Sequence, residues 1–396
     1  MKSAILVINC GSSSIKFAVI APESEETFLS GIAERLGTQD AILKLKIKDQ
    51  KNSLPISGAK NFQAIDQILL NLENWLDDKI EVVAVGHRVV HGGEFFERAA
   101  KISGDVIASI EKCSTLAPLH NPLNLEGIMA VQKSRPDLPQ VAVFDTAFHQ
   151  TLPNYAYLYA IPYKLYREQS IRRYGFHGTS HQYVSKVVAR KMGLPKEELG
   201  IITLHLGNGC SATAIQSGIS VDTTMGLSPL EGMAMGTRSG NVDPDLHRFL
   251  HEQLDMDFSE ISDMFNRSSG LLGISDGISN DMRTLSEAAE NGEEGAQRAI
   301  DLFCYRVAKS VMEMTVALEK LNAIVFTGGI GENACLVRTK IIDHLSVVGL
   351  ELSPVANAIS GRHSKGLISS PPSRAEVWVI PTNEELMIAQ QTYEII

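Results

Sequence analysis

The chain has 396 residues, and its 36 Lys and Arg against 46 Asp and Glu give a formal net charge of −10. Hydrophobic residues make up 44% and charged residues 21%, a balance that indicates a folded globular protein and excludes disordered, collagen-like and coiled-coil classes. The length predicts about two or three domains, and the acidic balance argues against nucleic acid as a partner. The densest lysine run, Lys44–Lys48, alternates lysine with apolar residues and predicts an amphipathic strand, not a basic patch.

The cysteines and the apolar segments bear on the compartment. The five cysteines lack the C-x₂₋₄-C spacing of a zinc site, which favours reduced thiols; they are Cys10, Cys113, Cys210, Cys304 and Cys335. The apolar run Ala4–Ile8 is too short for a signal peptide, and no apolar stretch is long enough to span a membrane. We therefore expect a soluble cytoplasmic protein that does not associate with membranes.

The first elements form a predicted hairpin. Two apolar strands, Ala4–Ile8 and Ile15–Ile20, flank a turn of small polar residues, Asn9–Ser14. The N–H groups and hydroxyls of this turn, with Lys16 beside them, suit phosphate oxygens, although a plain polar turn explains the turn alone equally well. The run Ser13–Lys16 also matches the S-x-x-K motif of serine acylases, but the partner motifs S-D-N and K-T-G are absent.

Two strand ends carry charged residues. After a helix predicted over Ala64–Leu76, the strand Val82–Val85 leads into G-H-R-V-V-H-G-G, where Arg88 suits a carboxylate or a phosphate. A surface loop would show the same composition. The strand Val141–Phe144 ends at Asp145, where open α/β sheets bind ligands, although Asp145 would also serve as a helix cap.

A domain boundary is predicted near Gln150–Pro153, just after that strand. The next polar loop, R-R-Y-G-F-H-G-T-S-H, precedes a helix predicted over Gln182–Met192. A lone histidine is usually structural, but His177 lies in this loop between two glycines, which favours its exposure in a site.

A strand–turn–strand unit recurs half a chain length after the first. The strand Ile201–Leu204 leads into His205–Gly209, and the strand Ser211–Ile215 follows. Under an offset of 196 residues, Gly11 falls on Gly207. Such an offset is what an internal duplication leaves, so we expect two related halves with a cleft between them.

The last third of the chain adds glycine-rich segments. The loop Glu231–Asp243 carries Arg238 and would be costly to order without a purpose. A helix over Gly295–Leu321 precedes the strand Ala323–Thr327, an order typical of α/β proteins. The segment Gly329–Ala334 fits the dinucleotide pattern G-x-G-x-x-[GA], and it would equally let the backbone approach an adenosine and its phosphates.

Two acidic positions follow that segment. Glu351 lies about 20 residues on, where the ribose-binding acid of a dinucleotide site is expected, but glycine and proline near it weaken the match. After the strand Val377–Ile380, Thr382 or Asn383 is the predicted N-cap of a helix whose first turn is acidic. An acid at that place would also suit Mg²⁺.

In this order, the motifs resemble the acetokinase family, within the superfamily of acetate and sugar kinases, chaperone ATPases and actin. The resemblance runs from N-x-G-S-S-S-x-K, starting at Asn9, to Thr382–Glu385, and includes G-H-R-V-V-H-G-G. It implies an α/β fold of two duplicated RNase H-like (actin-like ATPase) domains around a nucleotide cleft. Residues 1–150 would form the N-terminal domain, with the C-terminal helix 384–396 packing on it, and 151–383 the domain for nucleotide binding and dimerisation.

The resemblance also implies an activity. It is reversible, Mg²⁺-dependent transfer of the γ-phosphoryl group of ATP to acetate, giving acetyl phosphate and ADP by direct in-line transfer, with Mn²⁺ as an alternative metal. A kinase for propionate or another short-chain carboxylate is the alternative within the family. A homodimer is implied as well.

Matched position by position, the family's motifs imply roles for this chain's residues. Arg88 would bind the substrate carboxylate, and Val90 would help to wall the pocket around its methyl group. His177 and Arg238 would stabilise the transferring phosphoryl group, while Asp145 would orient the metal or Arg238 without abstracting a proton. The implied Mg²⁺ ligands are Asn9 and Glu384. The implied nucleotide-binding residues are Lys16, a phosphate contact, with His205, Leu206, Gly207, Asn208, Gly209, Asp281, Met282, Arg283, Gly329, Ile330, Gly331, Glu332 and Asn333.

Two other classes stay open from the residues. A nicotinamide-dependent oxidoreductase rests on Gly329–Ala334, and NADH binding without ATP binding would favour it. A non-catalytic, nucleotide-regulated module would instead hydrolyse ATP regardless of any carboxylate. Arg88 and Arg238 argue against both classes, because neither class needs a carboxylate site.

Overall fold

A computed structural model describes residues 1–48 and 50–396. In chain order, the first elements are β1 (Lys2–Cys10), β2 (Ser14–Ala21), β3 (Glu26–Glu34), β4 (Ile42–Ile47), β5 (Gln50–Pro55), α1 (Asn61–Trp75), β6 (Ile80–Val89), β7 (Ala100–Lys101), α2 (Gly104–Lys112), α3 (Asn121–Ser134) and β8 (Gln140–Phe144).

The remaining elements are α4 (Asn154–Tyr157), α5 (Tyr163–Gln169), α6 (Gly178–Met192), β9 (Gly200–Leu206), β10 (Cys210–Gln216), β11 (Ile219–Thr223), α7 (Leu246–Leu254), α8 (Phe258–Arg267), α9 (Gly270–Ile274), α10 (Met282–Glu290), α11 (Glu294–Thr315), β12 (Ala323–Thr327), α12 (Gly328–Asn333), α13 (Cys335–Asp343), α14 (Pro354–Ala358), β13 (Glu376–Val379) and α15 (Glu384–Tyr393). Short 3₁₀ turns lie at Cys113–Thr115, Ala147–Thr151, Lys196–Glu198 and Ser346–Val348.

The elements form two compact units with one sheet each. Unit 1 comprises Met1–Gln150 and Asn383–Ile396, and unit 2 comprises Thr151–Thr382. The sheet of unit 1 has the order β5-β4-β3-β2-β1-β6-β8-β7, and that of unit 2 the order β11-β10-β9-β12-β13.

The two sheets repeat one topology. In unit 1, β3, β2 and β1 are antiparallel, and β6 and β8 then add in parallel. In unit 2, β11, β10 and β9 are antiparallel, and β12 and β13 add in parallel. The mixed α/β fold with two related halves, predicted from the half-length offset, is confirmed.

The core of unit 1 follows from the apolar pattern of its strands and first helix. Helix α1 buries Ile65, Ile68 and Leu72 against the inner face of the sheet, at the helical spacing that predicted it. Each such side chain stabilises the fold by roughly 1.5–3 kcal/mol when fully buried. Helix α15 packs against β1, β2, β6 and β8. Its contact with β6 is so close that a Cβ at Gly86 would overlap Thr392.

Several predicted boundaries were wrong. The helix expected over Gln182–Met192 begins at Gly178, so the end of the predicted polar loop is helical. The strand expected to end at Val85 continues to Val89, because β6 is paired on both sides, with β1 and with β8. The helix expected to reach Leu321 ends at Thr315. The chain must leave the helix there, because Asn322 exchanges hydrogen bonds with Gly200 as it enters β12.

Within the described ranges 1–48 and 50–396, none of the helices has both the length and the apolar character that crossing a membrane requires.

Candidate active site

The turn between β1 and β2 presents its small polar residues to solvent. The Gly11 N–H donates to the Ser14 carbonyl at 2.8 Å and closes the turn. Ser12 and Ser13 are exposed, and Asn9 pairs directly with Lys16 across the two strands. The hydroxyls of the two exposed serines are accessible, and phosphate binding by this turn stays a prediction.

Arg88 and Asp145 form a two-pronged ion pair in unit 1. Asp145 Oδ1 accepts from Arg88 Nε at 3.0 Å, and Oδ2 accepts from Nη2 at 2.7 Å. The Asp145 side chain is 2% exposed, whereas that of Arg88 is 21% exposed. Both lie at the carboxyl ends of adjacent parallel strands, β6 and β8. Asp145 therefore holds one edge of a guanidinium that still reaches the surface.

The electrostatics of this pair involve the start of α15. Burial alone would lower the pKa of the Arg88 guanidinium, but Asp145 and Glu384 raise it above its ordinary value. Burial raises the pKa of the Asp145 carboxyl, and Arg88 opposes that rise. Glu384 is the first residue of α15, whose N-cap is Asn383, one of the two residues that the sequence offered for this position. Arg88 thus lies in the field of several carboxylates and stays charged.

Two asparagines of α3 hold the segment after Arg88 in place. Asn124 Oδ1 accepts from the Val90 N–H at 3.1 Å, while Asn124 Nδ2 donates to the Cys10 carbonyl at 3.2 Å. Asn121 Oδ1 accepts from the His91 N–H at 3.1 Å. Asn124 therefore ties the backbone at half-buried Val90 to the β1–β2 turn. The sequence analysis missed both asparagines. The only indication in the sequence is that two amide side chains lie three residues apart at the start of a helix.

His177 opens helix α6 in unit 2. Its backbone is left-handed, with φ of 56°, and its Nδ1 lies 2.8 Å from Ser211 Oγ. The same hydroxyl contacts the buried His181 at 2.7 Å, so the hydroxyl fixes the direction of the His177 ring. That ring also stacks on His205, with centroids 4.2 Å apart. The hydroxyl of Ser211 and the ring of His205 therefore hold the His177 side chain in one orientation.

Arg238 lies against the same histidine. A Cβ placed on Gly209 would approach Arg238 Nη2 to 2.8 Å and the His177 ring to 3.4 Å, so both side chains lie over this glycine. Arg238 Nη1 donates to the Pro229 carbonyl at 2.6 Å. Burial lowers the pKa of the Arg238 guanidinium below its ordinary value.

A cavity of about 700 Å³ opens beside these residues in unit 2, within the usual range of small-molecule sites. Its lining includes eight of the predicted nucleotide-binding residues, which are Gly207, Asn208, Asp281, Met282, Arg283, Gly329, Ile330 and Asn333. The sequence analysis missed Asn280, Ser286, Glu290 and the residues Ala334–Leu336, which also line it. Three separate segments thus meet around one pocket.

The other predicted nucleotide-binding residues of unit 2 lie outside that lining. Leu206 is fully buried, and the Gly331 carbonyl accepts from the buried Arg338 at 2.8 Å. Glu332 Oε1 accepts from the backbone N–H of Gly328 at 2.9 Å, so its carboxylate joins backbone segments. His205 and Gly209 belong to the cluster around His177.

Asp281 lines the cavity but also caps helix α10. Its Oδ1 accepts from the Thr284 N–H at 3.0 Å, and this bond helps to hold the pKa of the Asp281 carboxyl below its ordinary value.

The position of Glu351 argues against the oxidoreductase alternative. A dinucleotide site needs its ribose-binding acid at the end of a strand next to β12, whereas Glu351 lies in a loop after α13.

The comparisons with known proteins cover the whole chain. The model of the acetokinase family matches residues 4–390. The chain is 50% identical, over 99% of its length and 98% of the relative's, to an acetate kinase of Ectopseudomonas mendocina. It is 45% identical to the solved structure of a propionate kinase from Francisella tularensis, with TM-score 0.93 and full coverage of both chains.

A second solved structure, acetate kinase from Porphyromonas gingivalis, is 42% identical, with TM-score 0.92 and 99% of each chain covered. The duplicated sheet topology agrees with this assignment. The chain therefore belongs to the acetokinase family of enzymes.

Proposed function

We propose that this protein transfers the γ-phosphoryl group of ATP to acetate, reversibly, giving acetyl phosphate and ADP. Family membership and the names of the relatives from Ectopseudomonas mendocina and Porphyromonas gingivalis support this activity. The observation that carries it is a partly exposed arginine, Arg88, held on one edge by buried Asp145. Such an arginine is preorganised to bind a second, substrate carboxylate.

The chemistry needs no general base. A carboxylic acid is ionised at neutral pH, because its pKa lies near 4, so acetate is already the nucleophile. Arg88 uses Nε and Nη2 for Asp145, and the N–H groups of Nη1 are not part of this pair. We assign those N–H groups to the acetate carboxylate and Val90 to the wall around its methyl group. Asp145 then acts as a positioning residue, which fixes the orientation of Arg88.

The phosphoryl group would be stabilised by charge from unit 2. His177 and Arg238 lie together over Gly209, which provides two donors for oxygens that gain charge in an in-line transfer. Burial makes each donor worth more than it would be in water. Lys16 and the N–H groups of the β1–β2 turn are assigned to the other phosphates.

We assign Mg²⁺, or Mn²⁺ in its place, to oxygen donors of unit 1. Across residues 1–48 and 50–396, no group of three or more His, Cys, Asp or Glu side chains converges as a metal cage would. Mg²⁺ commonly takes only one or two protein ligands and completes its shell with water and substrate phosphates. Asn9 and Glu384 would hold it in this way. When bound, the ion would neutralise phosphate charge.

The proposal includes the assembly as well: a cytoplasmic homodimer, associated through unit 2, that binds neither nucleic acid nor membrane. This part of the proposal rests on membership of the acetokinase family. Sedimentation velocity measures the mass directly.

Trapping of acyl phosphate with hydroxylamine tests the proposed reaction. With ATP and Mg²⁺, we expect acetate to give acetohydroxamate, and ADP to appear in equal amount. Butyrate serves as the control carboxylate. ATP hydrolysis that ignores the carboxylate, with no hydroxamate formed, would contradict the proposal and favour a nucleotide-regulated module.

Propionate is the second candidate acceptor, because a propionate kinase is among the similar solved structures. We expect acetate to be preferred about 10- to 200-fold, since one methylene in an apolar pocket decides only about 1–3 kcal/mol. The substitution Val90→Ala should narrow this preference by creating room beside the methyl group. The measurement is kcat/KM for both substrates on both proteins. An unchanged ratio, with both values reduced in proportion, would show that Val90 serves only for packing.

A further inference from the structure

The sheet of unit 1 extends well beyond the strands that α15 contacts. Strands β3, β4 and β5 continue the sheet past β2. On β4, Leu43 and Leu45 point into the core, so Lys44 and Lys46 lie on the opposite face, and both are exposed. The lysine-rich strand that the sequence analysis described as amphipathic thus presents its charges on a face of the sheet.

This face and the start of α15 enclose a groove of about 820 Å³. Its apolar lining includes Ile20, Ile32 and Ile42, and its hydroxyls include Ser30 and Ser53. Four ammonium groups line it as well, those of Lys16, Lys44, Lys46 and Lys51. The acidic residue in the lining is Glu385. A concentration of positive charge over an apolar floor is unusual in a chain whose net charge is −10.

Two of these lysines oppose each other. Lys46 and Lys51 are direct cross-strand partners in the antiparallel pair β4–β5, and like charges in that position destabilise a sheet. Lys44 has a carboxylate partner, since its Nζ lies 2.5 Å from Glu34 Oε1. Neither Lys46 nor Lys51 has an ion pair with any residue that the structure describes. An anion from outside the chain could therefore bind to these two ammonium groups.

Protection of a sheet edge explains only part of this arrangement. Lysine on an edge strand hinders pairing with another chain, and β5 is the edge strand here. Lys46, however, lies on β4, which is paired on both sides. Edge protection also requires no apolar floor and no groove.

We propose that this groove binds a small phosphate monoester that carries an apolar group. A dianionic phosphate would pair with Lys46 and Lys51 and relieve their repulsion, and the apolar group would cover the isoleucines. The groove has the volume of a small-molecule site, and the acidic chain as a whole disfavours long polyanions. Strand spacing puts β4 and β5 about 10 and 14 Å from β2, so the phosphate position at Lys46 and Lys51 is separate from the proposed phosphate contact at Lys16, which lines the same groove from β2.

Lysine acetylation followed by mass spectrometry tests the site without using activity. The probe is 1-naphthyl phosphate, and inorganic phosphate, which lacks the apolar group, controls for ionic effects. At four times the Kd of the probe, acetylation of Lys44, Lys46 and Lys51 should slow about fivefold. The exposed lysines Lys79 and Lys101, which lie outside the groove, should react at an unchanged rate.

The double variant K46Q/K51Q provides a second test, in which the Kd for the probe is measured. Its Kd for the probe, measured through protection of Lys44, should rise about five- to tenfold, while the matched control K79Q/K101Q keeps the parent value. The variant should be no less stable than the parent, because it removes a repulsive pair. Equal protection of all exposed lysines, or an unchanged Kd in K46Q/K51Q, would overturn the proposal. Absence of probe binding by the parent, with self-association of K46Q/K51Q, would also overturn it and assign the lysines to edge protection.

Discussion

The substitution Asp145→Asn should nearly abolish turnover while it leaves ATP binding within a few-fold of the parent. Asparagine preserves the shape of the side chain but replaces one acceptor oxygen by an NH₂ group. That group would face a donor of Arg88, whose Nε and Nη2 both donate to the carboxylate. The guanidinium would lose its counter-charge and its fixed orientation together. The measurement is kcat in the hydroxamate assay, with ATP affinity from equilibrium binding.

Asp137→Asn provides the matched control. Asp137 forms the same two-pronged pair with Arg135 in unit 1, at 3.1 and 2.9 Å, but its side chain is 60% exposed. Exposed pairs of this kind contribute only about 0.2–1 kcal/mol to stability, so this variant should keep the parent's kcat. If Asp145→Asn retained more than about a tenth of the activity, a loss under about 1.4 kcal/mol, Asp145 would not be part of the reaction machinery.

The sequence predicted much of the fold because its signals are local. Short apolar runs located the β1–β2 hairpin and the strand β12 to within a few residues, and helical spacing did the same for helix α1. The half-length offset predicted the duplicated topology, since the two hairpins begin their sheets in the same way. Boundaries that depend on pairing with distant strands were wrong. The end of β6 was predicted at Val85, because the glycine of G-H-R-V suggested a loop, but pairing with β8 extends the strand to Val89.

The sequence named individual residues of the candidate site, but it did not predict which of them form ion pairs or hydrogen bonds with each other. Sequence reasoning named Arg88 and Asp145 and assigned Asp145 to the metal or to Arg238, whereas the structure pairs Asp145 with Arg88 itself. The two residues are 57 positions apart in the chain, and their pairing depends on β6 and β8 being neighbours in the sheet. Asn124 shows the same limit, because its two bonds join segments that are 34 and 114 residues away.

The second large effect is expected from Arg88→Ala. The apparent KM for acetate should rise about 10- to 150-fold, because a charge-assisted contact with a carboxylate is worth roughly 1.5–3 kcal/mol. The KM for ATP should change far less, since the cavity proposed for the nucleotide is built from residues of unit 2. Initial rates over both substrates give the two constants. Equal increases in both would mean that Arg88 supports the fold of the site and does not bind the substrate.

Stability gives the same variant a second, pH-dependent signature. Arg88→Ala leaves the Asp145 carboxylate buried without its partner, which costs up to about 3–5 kcal/mol at neutral pH. Burial raises the pKa of Asp145, and without Arg88 this rise is less opposed. A carboxyl group whose pKa is higher in the folded state stabilises the fold below its unfolded pKa, and this stabilisation is lost as pH rises through the folded pKa. The loss in free energy of unfolding caused by Arg88→Ala, measured by urea unfolding, should therefore be larger at pH 7 than at pH 4.

The control Arg135→Ala should lose little free energy of unfolding, because its partner Asp137 is exposed and stays hydrated. A deficit for Arg88→Ala that is equal at both pH values would show that Asp145 does not depend on Arg88 for its charge.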